Sequence, residues 1–312
     1  CREQLRQPGT LFQIPYAEVS PSYKTNSTGF IYSEFLPQCC KSPLLEMIDK
    51  NLGVFKTPYC HQVEALNAYF QGKDVLVSTG TGSGKTECFM WPIVTKLIEE
   101  ANGMESWQQR GIRVLMMYPL NALVSDQLGR LRKMIGNDDF YDIFRRNTGQ
   151  WRIPQFGMYT GRTLYPGKFD KSRNREFAET LTKDILNRTD DFKNELKKVG
   201  RYPSKHDLEG YVEDLKNGIR RQYSDDAELL LRYEMQDSCP DILITNYTML
   251  EYMLLRHEED SIWEDTKAWL DCNPSNKLLF VIDEAHMYRG SSGGEVALLI
   301  KRLLNRLEIS RD

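Results

Sequence analysis

No two of the seven cysteines form a C-x-x-C pair. An odd, scattered set (1, 39, 40, 60, 88, 239 and 272) reads as reduced thiols, not as a disulfide framework or a zinc site. That favours a cytoplasmic setting, and the adjacent Cys39-Cys40 reads as packing. No apolar run approaches the roughly 20 residues needed to span a bilayer, so no membrane partner is expected. No secretory leader is visible in a chain that starts at Cys1 rather than Met. Charge of one sign is lacking too: 41 Lys and Arg against 44 Asp and Glu leave a net charge of -3. No general basic surface advertises nucleic acid, although a local groove can still hold a backbone. What is present is ordinary for a globular chain, and 312 residues can bury a large core.

Residues 1–52 show little periodicity at first, with Pro8, Pro15, Pro21 and Gly29 punctuating an extended stretch. A helix is expected near Pro43 to Asn51. From Val54 the pattern becomes α/β. Short buried strands are expected at Asp74 to Ser78, Val114 to Tyr118, Phe156 to Tyr159, Ile242 to Ile244 and Leu278 to Ile282. Helical spacing between them, as in Val124, Leu128, Leu131 and Ile135, implies a parallel sheet covered on both faces. Residues 163–240 interrupt the pattern. Roughly two in five are charged, with both signs mixed at helical spacing. They read as a charged, mainly helical and solvated insertion, with an accessory element touching nucleic acid or a partner as the other reading.

Two strings carry chemistry. In Thr79-Gly80-Thr81-Gly82-Ser83-Gly84-Lys85-Thr86 the glycines let backbone N–H groups point at phosphate oxygens. The helix that follows adds its positive N-terminal end. Lys85 would neutralise the β- and γ-phosphates of ATP, and the Thr86 hydroxyl would bind Mg²⁺. In Asp283-Glu284-Ala285-His286 an apolar strand delivers Asp283 to the sheet's C-terminal edge, where ligands bind in α/β folds. Asp283 can hold Mg²⁺, and Glu284 can orient and deprotonate a water.

In that order, the two strings resemble the first RecA-like lobe of a superfamily 2 DEAD/DEAH-box helicase. The resemblance covers 53–162 and 241–312. It implies that Phe55 to Gln62 reads adenine, with Gln62 on the base edge and Tyr59 packed against the ring. It implies nucleic-acid contacts from Pro119 and Asn121 in Tyr118-Pro119-Leu120-Asn121, where the family more often has Pro-Thr-Arg. Gly161 and Arg162 in Tyr159-Thr160-Gly161-Arg162, and Thr245 and Asn246 in Thr245-Asn246-Tyr247, are implied likewise. Such groups meet phosphates and position a strand without reading its sequence. It also implies that Lys85, Asp283 and Glu284 are catalytic and that His286 links the two sites. With Tyr288-Arg289-Gly290, the pattern is similar to a bacterial branch that includes MrfA-type repair helicases and the helicase subunits of DISARM and Druantia anti-phage systems.

The division expected is an accessory segment over 1–52, the lobe over 53–162 and 241–312, and the insertion between them. The family completes its ATP site with arginines from a second lobe. No Q-x-x-G-R-x-x-R string follows His286, so that lobe is expected outside these residues and the piece alone is expected to turn over ATP poorly. The activity implied is ATP-dependent movement on nucleic acid, DNA favoured, as a single strand or a single/double-strand junction, with other subunits of a defence or repair complex as further partners. A duplex translocase, an RNA helicase and a non-catalytic ATP-gated lobe are the other readings.

Overall fold

Apolar runs buried on both faces build the centre of the molecule. The computed structural model describes residues 22–310, apart from 28, 81, 104, 165–168 and 222. Strand β1 (Val114–Tyr118) is buried along its whole length. It pairs in parallel with β4 (Ile242–Asn246) on one side and β5 (Leu279–Ile282) on the other. Strand β2 (Phe156–Tyr159) continues the sheet from β4, and the short β3 (Glu228–Leu229) closes that side. The order is β3-β2-β4-β1-β5, all parallel. This is the α/β architecture expected, with helices on both faces.

Alternation along β1 divides the core. Val114, Met116 and Tyr118 face one layer; Leu115 and Met117 face the other. The first layer holds α1 (Gln38–Asp49), α2 (Cys60–Phe70), α3 (Glu87–Gly103), α4 (Asn121–Met134) and α5 (Asp138–Thr148). Their Leu44, Leu66, Trp91, Leu131 and Phe144 are completely buried there. Helix α1 is the one expected near Pro43, begun five residues earlier, at Gln38.

Residues 163–240 are mainly helical, with α6 (Lys171–Leu181), α7 (Asp190–Lys198), α8 (Leu208–Asn217) and α9 (Arg232–Asp237). They are more than a solvated excursion. Helix α7 buries no residue, but Leu181, Leu208, Val212, Leu215 and Leu231 form a separate core. Lys205 is buried between Asp226 at 2.9 Å and Glu234 at 3.0 Å. Strand β3 also belongs to this stretch, so the insertion is stitched into the sheet. Mixed charge could not show this, because buried and solvated ion pairs look alike in a composition.

The second layer holds α10 (Tyr247–Leu255), α11 (Asp260–Cys272) and α12 (Ser291–Arg306), with Leu250, Trp263 and Leu299 buried against the sheet.

The expected strand over Asp74 to Ser78 does not form. That segment pairs with no strand, and Val75 and Leu76 are exposed, Leu76 at 88%. Leu279 to Ile282 of β5 lie across a cavity from it. Val75, Leu76 and Val77 have the residue types of a strand, but pairing also requires an edge in hydrogen-bonding register. The cavity separates the two.

The opposite end of the sheet is clamped by buried charge. Arg113 donates to Glu100 Oε1 at 2.9 Å, Ser106 O at 2.9 Å and Gln109 O at 2.8 Å, and its guanidinium lies against the rings of Trp107 and Trp269. Its Nη1 is 3.3 Å from Asp241, which also receives both Nη groups of Arg152. Burial works to raise the Asp241 carboxyl, but Arg152 and Arg113 outweigh it and hold it below the ordinary aspartate range. Arg113→Met leaves the buried Glu100 carboxylate without its hydrogen-bonded cation, while Asp241 keeps Arg152, so it should cost about 3–5 kcal/mol. Urea unfolding checks this; an unchanged midpoint would refute it.

Candidate active site

The phosphate loop is held from behind by α2. Gly82 and Gly84 sit at φ +75° and +71°, the left-handed region that a side chain resists. A Cβ on Gly84 would come within 2.4 Å of Gln62 Nε2. Thr79 Oγ1 and Ser83 Oγ are 2.6 Å apart, and Ser83 is buried. His61 Nε2 lies 2.9 Å from Ser83 O. Gln62 donates to Gly84 O at 3.0 Å and accepts from Tyr59 N at 2.9 Å. Gln62 is 2% exposed, so its amide joins the loop to α2 rather than standing free for a base edge. Gly80 is exposed, and Lys85 and Thr86 are half-buried at the entrance of α3. Thr81 lies outside the described residues.

Strand β5 brings the acidic pair to the same place. A cavity of about 860 Å³ is lined by Thr79, Lys85, Asp283, Glu284 and His286 together with the apolar side of β5. The same cavity takes in the gap between the unpaired segment from Lys73 to Ser78 and β5. Asp283 is half-buried. Burial raises its carboxyl above the ordinary aspartate range and the charge of Glu284 adds to this, while the Glu284 amide, Lys85 and Arg130 oppose it. The Glu284 N–H donates to Asp283 Oδ1 at 2.8 Å. Glu284 itself has φ +50°, an unusual conformation for a residue with a side chain. His286 is exposed, and its Nδ1 is 3.1 Å from Glu284 Oε2. Among the described residues, no three His, Cys, Asp or Glu cluster as a metal cage. A Thr86 hydroxyl and one Asp283 carboxylate suit an ion that arrives with phosphates and keeps its waters.

The other implied residues stand on neighbouring strand ends. Asn246 Nδ2 donates to Asn121 Oδ1 at 2.7 Å, joining the ends of β4 and β1. Thr245 Oγ1 donates to Tyr159 O at 2.7 Å, joining β4 to β2. Thr245 is completely buried, so it holds the strands and presents no surface. Pro119 is half-buried beside Asn121, and Gly161 and Arg162 are exposed. The Asp283 N–H donates to Met117 O at 3.2 Å, so this row begins beside the cavity.

Residues 59–150 match the family model described as DEAD/DEAH box helicase. The chain carries a DEAD/DEAH box helicase domain. It is 40% identical to the Druantia protein DruE of Escherichia coli, over 100% of this chain and 18% of that protein. It is 26% identical to an uncharacterized ATP-dependent helicase of Methanocaldococcus jannaschii, over 84% of this chain and 25% of that one. It therefore spans no more than about a quarter of the length of either relative. Among solved structures, the DUF1998 helicase MrfA bound to DNA and AMPPNP matches with a TM-score of 0.48 and 19% identity, over 94% of this chain and 26% of that one.

One residue near the loop, outside the matched residues, escapes sequence reasoning. Residues 24–26 run beside the start of α2: Thr25 bridges Tyr59, Asn26 N donates to Pro58 O, and Cys60 N donates to Lys24 O. This sets the Tyr23 ring 5.6 Å from Tyr59 and 5.5 Å from His61, with its hydroxyl 2.7 Å from where a Gly80 Cβ would stand. Tyr59 and His61 stack at 5.6 Å. A lone tyrosine in an extended stretch carries no signal for such a place.

Proposed function

We propose that this chain is the nucleotide-binding lobe of an ATP-dependent helicase or translocase acting on nucleic acid, with DNA as the favoured substrate. One observation carries the reading: Lys85, Asp283 and Glu284 line one cavity, and the Asn121–Asn246 row starts at its edge. The accessory segment, the lobe in two parts and the insertion keep the bounds given above. The 40% identity with a Druantia protein favours the bacterial defence branch over DNA repair.

In this reading the loop's N–H groups and Lys85 bind the ATP phosphates, and Thr86 and Asp283 hold Mg²⁺. When bound, Mg²⁺ neutralises charge on the phosphate oxygens. Glu284 orients the attacking water and takes its proton. Tyr59 and Tyr23 bound the base, and the cavity screens the reacting phosphate. Asn121, Asn246, Gly161 and Arg162 position a strand by its backbone. His286, in contact with Glu284, connects the two sets. Among the described residues no helix is long and apolar enough to cross a membrane.

The test is ATP turnover by the full-length protein alone and with single-stranded DNA, single-stranded RNA or duplex DNA. Stimulation by single-stranded DNA is expected. Stimulation by RNA alone, or by none of the three, would overturn the DNA reading. Tyr23→Ala should weaken binding of a fluorescent ATP analogue about threefold to tenfold while leaving DNA binding intact, as loss of one aromatic face does. Unaltered nucleotide affinity would remove Tyr23 from the site.

A further inference from the structure

The turn after β2 is held by a residue of the insertion. Arg232 opens α9 and is 3% exposed. Its Nη2 donates to Thr160 O at 2.6 Å, its own N–H reaches Leu164 O at 3.4 Å, and its guanidinium lies over the Tyr159 ring at 5.1 Å. Arg232 thus grips the chain where it enters the Thr160-Gly161-Arg162-Thr163 turn and where it leaves it. Thr160 O also accepts from Thr163 N at 3.1 Å, and Thr160 Oγ1 accepts from Arg162 N at 3.2 Å. With the Arg162 amide engaged, the turn's exposed parts are Gly161 and the Arg162 side chain.

The grip is anchored on both sides. Tyr159, under the guanidinium, donates its hydroxyl to Glu259 Oε1 at 2.7 Å, and Arg256 donates to the same carboxylate. Leu231 and Tyr233, the neighbours of Arg232, belong to the buried core of the insertion. The insertion also reaches α4: Arg132 on that helix donates to both oxygens of Glu228 and to Gly200 O. Two of the three strand-end segments implied in nucleic-acid contact, the turn and the helix that starts at Asn121, therefore lean on residues 163–240.

We propose that Arg232 is a positioning residue for the Thr160–Thr163 turn, so that the insertion sets the geometry in which Gly161 and Arg162 meet a nucleic-acid phosphate. This rests on the nucleic-acid role proposed above for that turn. Arg232 does not touch the strand. A planar, charged donor fixed on a carbonyl restrains the turn without needing solvent access. The ordering of the turn is then complete before binding rather than a cost of it.

The experiment uses the full-length protein, with anisotropy of a labelled single-stranded DNA oligonucleotide and titration of a fluorescent ATP analogue. Arg232→Met should weaken DNA binding on the order of tenfold, with nucleotide affinity within about twofold, as loss of one charge-assisted hydrogen bond predicts. Arg232→Lys keeps a donor but not the planar fork, and should lose about threefold. Leu215→Ala, in the insertion core and away from the turn, controls for loss of stability. In a double-mutant cycle Arg162→Ala and Arg232→Met should be less than additive, because one acts through the other. Normal DNA affinity in Arg232→Met would overturn the inference. So would a Leu215→Ala loss as large as that of Arg232→Met or, if that variant fails to fold, as large as that of Arg232→Lys. Should Arg162→Ala alone leave DNA affinity unchanged, the role of the turn itself falls.

Discussion

Glu284→Gln in the full-length protein is expected to lower ATP turnover by about 10²–10⁴-fold, the usual contribution of a positioned general base. Nucleotide affinity should stay near that of the unaltered protein. Glutamine keeps the shape of the side chain and an oxygen that can accept from a water or from His286, which lies 3.1 Å from Glu284 Oε2. It cannot take the proton. The backbone N–H that donates to Asp283 Oδ1 is unaffected by the change. Steady-state phosphate release beside a nucleotide titration checks both halves. Turnover at the ordinary rate would sink the assignment of Glu284 as base.

Lys85→Ala acts on the earlier step. Truncating one partner of a desolvated charge pair costs about 2–5 kcal/mol, roughly 30- to 5,000-fold in Kd. The loop itself should survive, because its restraints come from Gln62, His61 and the Thr79–Ser83 hydroxyl pair. Titration of a fluorescent ATP analogue measures the effect. Retention of normal affinity would show that the cavity between Lys85 and Glu284 does not hold the phosphates.

The two changes together separate binding from chemistry, and both were visible as short strings of residues. The glycine spacing before Lys85 is legible because positive φ is a property of single residues, as Gly82 and Gly84 bear out. Asp283 is legible because an apolar run of strand length ends there and delivers it to the sheet's edge. Four of the five expected strands formed: in β1, β2 and β4 a run buried on both faces declares itself residue by residue, while β5 is mostly half-buried.

Other features depend on partners distant in the chain. Val75, Leu76 and Val77 resemble a strand, yet find no edge in register. Gln62 has the amide suited to a base edge, but the fold folds it against Gly84 and Tyr59. Thr245 looks like a phosphate contact and is instead a buried tie between β4 and β2. The charged stretch over 163–240 looked solvated and holds a core, a fully buried lysine and a strand.

The amino-acid sequence by itself determined the α/β class, the phosphate loop and the acidic pair, because each is encoded in neighbouring residues and in backbone preferences that act locally. Only the tertiary structure decided that Lys85 and Glu284 share one cavity, that Tyr23 reaches the loop, and that Arg232 braces the turn after β2. Hydrogen bonds and burial between residues far apart in the chain depend on where the backbone carries each group, and no local pattern contains that information.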